Sequence, residues 1–258
     1  MKTVLLSAGH SLSDPGAVFD PGTKEAFLTM ELTRLTADIL RKHGVGVLTV
    51  PDTLNLTDTI KFVNARAKEQ RIDLAAEIHT NSSTDRTARG IEAWHYYDFG
   101  KNAPSDKSRL LAQMILDGMA VESNLPVRGN FSENTNRWGR LGFVHDTTPL
   151  AVLIEAGFIS NEKDRSVLLS PEGRFNLAKG IARGILTNLG EPWKPELLRD
   201  DISADVENAK DAKIKALEEA IDSIKKHSEW QLAKKEEDCQ NRIAAIKQKA
   251  TELLELCK

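Results

Sequence analysis

Apolar positions along the first two-thirds of the chain switch repeatedly between short continuous runs and spacings of three and four. Residues 3–7 form an apolar run that predicts a strand beginning almost at the N-terminus. Over 24–43, Phe27, Leu28, Leu32, Leu35, Ile39 and Leu40 recur at helical spacing, and Gly44 is placed to end that helix. A second strand is predicted at 46–50, stopped by Pro51, and a second helix at 56–71. Residues 74–78 predict a third strand, and 91–97 alternate as a fourth. A helix over 105–122 follows. Pro149 leads into an apolar strand at 151–154, and Pro171 suits the first position of a last helix over 171–189. Strands separated by helices of this length predict an α/β fold: a mixed, mostly parallel twisted sheet flanked by helices. Only a short polar loop precedes 93–97, so that strand is expected to run antiparallel.

The pattern breaks at residues 190–195, Gly-Glu-Pro-Trp-Lys-Pro. A boundary there divides the chain into a domain over 1–192 and a C-terminal helical segment over 196–258. The segment lacks Gly and Pro and is rich in Ala, Glu, Lys and Leu, the composition of long helices. Ile214, Leu217, Ile221 and Ile224 make one heptad-like run. Leu232, Cys239, Ile243, Ile246, Ala250, Leu253 and Cys257 make another, with Ser228 and Glu236 interrupting the seam. Such a seam can pair with a second copy as a homo-oligomer, or fold on itself or on the first domain. Cys239 and Cys257 form no CxxC pair and read as reduced apolar side chains.

Charge narrows the function classes. With 35 basic and 38 acidic residues and a net charge of -3, the chain carries no electrostatic footprint for nucleic acid and no basic face for a membrane. No apolar stretch approaches the ~18 residues of a membrane span. The apolar run within residues 1–7 is too short for a signal peptide and no cleavage site follows it. The expectation is synthesis in the cytoplasm without a standard signal peptide.

Three polar residues end apolar strands: His10 after Val4-Leu5-Leu6-Ser7-Ala8-Gly9, His79 after Leu74-Ala75-Ala76-Glu77-Ile78, and Glu155 after Ala151-Val152-Leu153-Ile154. In an open α/β sheet these positions face the crevice at the carboxyl ends of the strands. Glu25, at the start of the first helix, can fold back to the same place. Two imidazoles and a carboxylate are the protein ligands of a common catalytic zinc site, which leaves a fourth position open. Metal there brings the pKa of water to about 7. An unligated carboxylate, Glu155, then handles the protons, a combination suited to amide hydrolysis. Each residue has a structural alternative: a hydrogen-bonded histidine at a strand end, or a glutamate interacting with a helix dipole. The alternatives do not predict that all four converge.

The motifs also resemble a family. Ala8-Gly9-His10-Ser11-Leu12-Ser13-Asp14-Pro15-Gly16-Ala17 is similar to the opening zinc motif of the zinc-dependent N-acetylmuramoyl-L-alanine amidases of bacterial cell-wall hydrolases and phage endolysins. Lys24-Glu25-Ala26 resembles their second ligand, and Glu77-Ile78-His79-Thr80-Asn81 their strand-end third. The segment 149–161, Pro-Leu-Ala-Val-Leu-Ile-Glu-Ala-Gly-Phe-Ile-Ser-Asn, resembles their longest motif. The resemblance covers roughly residues 1–190. It implies one zinc per chain on His10, Glu25 and His79, with Glu155 as catalytic acid and base. It further implies peptidoglycan as partner, cut between the lactyl group of N-acetylmuramic acid and L-alanine. Two departures stand out: Ser11-Leu12-Ser13 replaces a glycine pair, and Glu77 stands where the family commonly has serine. At period two Glu77 shares a strand side with His79 and is a candidate to orient its imidazole. An exposed edge-strand glutamate is the alternative.

Asn81 and His145 are further candidates for supporting or substrate contacts, whereas His95 reads as structural. Residues 128–140, with Asn130, Asn134, Asn136 and Trp138, read as a polar loop at the crevice rim. The leading functional reading is a phage endolysin released to the wall by a holin-type partner, with a host autolysin as its variant. A zinc peptidase or deacetylase on the same site, or a non-catalytic wall-binding scaffold, are the alternatives.

Overall fold

The computed structural model describes residues 1–198 apart from Trp138. The C-terminal helical segment and its heptad seam, Cys239 and Cys257 included, lie outside the described residues.

Among the described residues ten strands and six α-helices follow one another: β1 (Thr3–Ala8), β2 (Val18–Asp20), β3 (Thr23–Lys24), α1 (Glu25–Lys42), β4 (Gly46–Thr49), α2 (Leu56–Glu69), β5 (Leu74–Asn81), β6 (Ile91–His95), β7 (Tyr97–Asp98), β8 (Ala103–Pro104), α3 (Asp106–Glu122), β9 (Val127–Ser132), α4 (Gly142–Asp146), β10 (Ala151–Phe158), α5 (Glu162–Leu169) and α6 (Pro171–Leu189). The main sheet has six strands in the order β4-β1-β5-β10-β6-β9. β4, β1, β5 and β10 run parallel, and β6 joins β10 antiparallel, as its short connection predicts. Helix starts carry the expected caps: Asn55 accepts from Asp58 N–H at α2, Ser105 from Ser108 N–H at α3, and Ser170 from Gly173 N–H at α6.

Strand alternation sorts side chains into two cores. Val4 and Leu6 of β1, Leu74, Ala76 and Ile78 of β5, and Val152, Ile154 and Ala156 of β10 pack with α1, α3 and α6. The opposite face places Leu5, Ala75 and Ala151 against Val63 of α2 and Phe143 of α4, in a smaller cluster. Because side chains alternate at period two, Glu77, His79, Asn81 and Glu155 belong to this second, less covered face. The register aligns them: Glu155 lies opposite His79 on one side and Glu92 on the other.

One expectation is overturned. Part of 128–140 is not loop: β9 pairs parallel with β6 as the sheet's outer strand, and a 3-10 turn at Glu133–Thr135 follows. Its Arg128 and Asn130 are polar because an edge strand buries only one side. The helices α4 and α5 and the β2–β3 hairpin are also additions. The predicted strand 91–97 divides, because Tyr97 leaves β6 and pairs with Pro104.

Candidate metal centre

β1 ends at Ala8, and Gly9 N–H then donates to Ile78 C=O at 2.7 Å, holding the chain end against β5. A Cβ on Gly9 would lie 2.4 Å from the His79 ring, so only glycine lets this backbone pass beneath the imidazole. His10 then takes a left-handed backbone, φ 68°, which costs a non-glycine residue about 1–2 kcal/mol. A tight turn holds it there. Ser11 and Asp14 exchange both backbone hydrogen bonds at 3.1 Å, which returns the Asp14 carboxylate to 2.9 Å from His10 Nδ1. Gly16 closes the pocket: a Cβ there would meet His10 Cδ2 at 2.5 Å and Glu25 Oε2 at 2.7 Å.

Glu25, the first residue of α1, is buried at 4% exposure, yet both its oxygens are engaged. Oε2 accepts from Ala17 N–H at 2.9 Å and lies 3.2 Å from His10 Nε2. Oε1 accepts from Thr80 N–H and lies 3.1 Å from His79 Nδ1. Thr29, one turn along α1, donates to Gly9 C=O at 2.7 Å and ties the helix start to the end of β1. His10, Glu25 and His79 each offer a ligand atom, all within 4.8 Å of one another.

The outer ring nitrogens are also occupied, His10 Nδ1 by Asp14 and His79 Nε2 by Glu77 Oε2 at 3.3 Å. Glu77 is buried, not on an edge, and Ser7 Oγ donates to its other oxygen. If the outer nitrogens donate to these carboxylates, the inner nitrogens present lone pairs to the Glu25 carboxylate. Such an arrangement requires a cation between them, a proton or a metal ion. Protonation behaves accordingly. The hydrogen bond with Glu25 raises the His10 pKa. Burial would lower that of His79, but its bonds with Glu25 and Glu77 carry it well above 6.5. Burial works to raise Glu25, and its contacts with His10 and His79 overcome that and bring it to about 2. The donor set, the two fixed imidazoles and the glycine-lined cradle fit a divalent metal held by His10, Glu25 and His79.

Glu155 stands beside this group without joining it. Its Oε2 is buried and has no hydrogen-bond partner. Burial pushes its pKa up to about 8, with the neighbouring Glu25 and Glu92 adding to the rise against the opposing pull of His79 and His10. It lines a hollow of about 790 Å³ whose walls include Trp94, Asn81, Arg86 and Asn136. Asn81 donates to Glu92 at 3.2 Å, and Arg128 pairs with the other Glu92 oxygen. Part of the predicted rim, Thr135 to Arg137, does line this hollow.

His145 is not brought to the group. Its Nδ1 lies 2.8 Å from the buried Glu133, and it lines a separate hollow with Tyr96 and Ser105. His95 is buried against Asn130 Oδ1 at 2.7 Å, a structural contact. Sequence reasoning missed Asp14, which reaches His10 only through the tight turn, and Glu133, whose carboxylate accepts from Tyr97 and Leu141 N–H groups.

Fold and centre together define an α/β protein in which two histidines and one glutamate are grouped so that they could hold a metal ion, beside a carboxylate with one buried oxygen. Comparison with known proteins then gives the family. The profile of the N-acetylmuramoyl-L-alanine amidases of the Amidase_3 type matches residues 4–187. The N-acetylmuramoyl-L-alanine amidase AmiA of Escherichia coli is 24% identical over 223 residues, spanning 72% of this chain and 75% of that protein. The germination-specific N-acetylmuramoyl-L-alanine amidase of Bacillus subtilis is 28% identical over 212 residues, spanning 75% and 82%. The catalytic domain of CwlV, an N-acetylmuramoyl-L-alanine amidase from Bacillus (Paenibacillus) polymyxa, superposes with a TM-score of 0.63 at 26% identity, covering 74% of this chain and all of that one. The chain belongs to the N-acetylmuramoyl-L-alanine amidase family.

Proposed function

We propose that this protein is a zinc-dependent peptidoglycan hydrolase that cleaves the amide between the lactyl group of N-acetylmuramic acid and L-alanine. The observation that carries the reading is the partnerless buried Oε2 of Glu155, set one strand from His79 beside three converging ligand atoms. A structural carboxylate would be hydrogen-bonded; an unpaired one in a hollow is poised to take up a proton.

His10, Glu25 and His79 would hold the zinc, which when bound polarises the amide carbonyl and makes water acidic enough to attack it. Glu155 takes the proton from the attacking water and returns it to the departing nitrogen of L-alanine. Burial raises the Glu155 pKa to about 8 in the metal-free protein, and a bound cation would draw it back toward neutral, where one carboxyl group can both take up and return a proton. Asp14 and Glu77 hold the two imidazoles in the orientation that presents their inner nitrogens. The hollow of about 790 Å³ in front of Glu155 is large enough for a sugar and the start of a peptide. Among the described residues no helix is long and apolar enough to cross a membrane.

A phage endolysin and a host autolysin would share this site. The endolysin reading, with release by a holin-type partner, predicts lysis of intact cells only when the membrane is permeabilised together with expression. For the chemistry, purified peptidoglycan is digested and its fragments analysed by mass spectrometry. New lactyl carboxylates paired with new N-terminal L-alanine are expected. Free acetate would indicate a deacetylase, new termini within the stem peptide a peptidase, and binding without products a scaffold.

A further inference from the structure

Most described arginines have a carboxylate partner; near the site, Arg89 pairs with Asp164 and Arg128 with Glu92. Arg86 and Arg165 differ. Among the described residues neither forms an ion pair. Instead both gather on one exposed ring, Phe19 in the β2 strand of the β2–β3 hairpin. The Arg165 guanidinium carbon lies 3.6 Å from the ring centroid and that of Arg86 5.7 Å. Each also spends one N–H on a backbone carbonyl, Arg86 on Ser160 at 3.3 Å and Arg165 on Ile159 at 3.2 Å. Those bonds fix the guanidinium planes and leave further donors of each fork available. Phe19, Arg86 and Ser160 line both the hollow that holds Glu155 and an adjoining hollow of about 560 Å³ lined by Arg165, Lys163 and Arg89, with Glu162 its one carboxylate. The positive platform is therefore continuous with the catalytic hollow.

We propose that Arg86 and Arg165, steadied on Phe19, form a carboxylate-binding subsite that receives an acidic residue of the stem peptide. The proposal rests on the amidase reading above. Two guanidiniums without a counter-ion beside a reaction site match an anion carried by the substrate, and their fork geometry matches a carboxylate. A substrate whose amide carbonyl faced Glu155 would have the shared wall of Phe19, Arg86 and Ser160 open to its peptide. A second stem residue with a free α-carboxylate would then reach the platform.

The test compares two soluble ligands that differ by one carboxylate: N-acetylmuramoyl-L-alanyl-D-glutamate and its α-carboxamide counterpart. Cleavage kinetics and calorimetric binding are measured in parallel on the wild type, Arg86→Ala, and the double variant Arg86→Ala, Arg165→Ala. Arg86 is exposed and holds one carbonyl, so the single variant keeps the fold even if the double one does not. The wild type is expected to favour the acid about tenfold, in KM and not kcat, the size of one charge-assisted contact. Raising salt should shrink that preference. Arg86→Ala should reduce it at least threefold and the double variant should abolish it. Equal handling of acid and amide by the wild type, or an unchanged preference in Arg86→Ala, overturns the subsite. Discrimination in binding with no cleavage of either ligand would uphold the subsite and reject the amidase reading; cleavage of both without discrimination would do the reverse.

Discussion

Glu77 and His79, two residues apart on β5, face each other on one side of the strand, with Glu77 Oε2 3.3 Å from His79 Nε2. The opposite ring nitrogen points at Glu25, so the pair settles which nitrogen is available to a metal ion. Glu77→Ala should weaken zinc binding about 10–100-fold, the usual cost of losing a partner that orients a ligand. Competition against a chelator measures it. Unchanged affinity would show that the ring is held by packing alone.

His79→Ala should remove the metal outright. The residue supplies one of three ligand atoms within 4.8 Å of one another, and the two left make a poor site. Metal analysis of the purified variant decides the matter, and full zinc content would sink the assignment. Folding should survive, because β5 is held mainly by its buried apolar residues Leu74, Ala76 and Ile78.

Glu155→Gln should keep fold and zinc and lose about 10²–10⁴-fold in turnover, the range for a proton-transfer group. The glutamine is close to isosteric and its register neighbours stay in place. Near wild-type clearing of peptidoglycan by a zinc-loaded variant would show that another group moves the proton.

Stability of the metal-free protein should fall as pH rises from about 6 to 8.5. His10 and His79 have raised values in the folded state, so their contribution is complete below 6.5 and is lost as pH climbs through those values. Glu155 adds to the fall. Its folded value of about 8 means the folded protein binds the extra proton, an advantage that disappears between about 4.5 and 8. Glu25 acts at the other end: its lowered value of about 2 gives stability present above 4.5 and lost as the pH drops toward 2. Because zinc and protons compete for the imidazoles, the zinc-induced rise in melting temperature should grow with pH. Thermal scans with and without zinc test both signs. A metal-free melting temperature that climbs from pH 6 to 8.5 would contradict them, and Glu155→Gln should flatten the decline.

The C-terminal segment should be dispensable for the chemistry, provided the cut respects what the first domain uses. Trp193 stacks on His43 at 4.9 Å and Leu198 is buried in the main core, so both belong with the catalytic fold. A chain ending shortly after Leu198 should still hydrolyse soluble muropeptide. Sedimentation of this form and the full chain tests the heptad seam: a larger assembly is expected only with the segment present, and two monomers would rule the pairing out.

The parallel core of the fold was legible because β1, β5 and β10 are continuous apolar runs that end in a polar residue of chemical consequence. β9 was not, since Arg128, Gly129 and Asn130 give an edge strand no apolar period to detect. α5 escaped for a similar reason: eight residues, with only Asp164 and Leu168 buried, carry too weak a pattern. At the site, Glu77 could be placed from period two alone. Asp14 could not, because its approach to His10 depends on a left-handed backbone angle and a tight turn that no periodicity encodes. Arg86 and Arg165 stand far apart in sequence and meet only through a hairpin that pattern analysis did not find.

The strand order has a consequence for how the molecule comes into being. All three proposed metal ligands lie on the chain before residue 80: His10 two residues beyond β1, Glu25 at the start of α1 and His79 in β5, which pairs directly with β1. Glu155 arrives on β10, which must slot between β5 and β6 after both have been made. On the ribosome, a nascent chain can therefore gather His10, Glu25 and His79 while the proton-handling carboxylate has yet to be synthesised. If Glu155 moves the proton as proposed, hydrolytic competence waits on β10, whose pairing with β5 is non-local and of the kind that forms slowly. On that reading the half-made protein would hold metal, and only the finished one would cut.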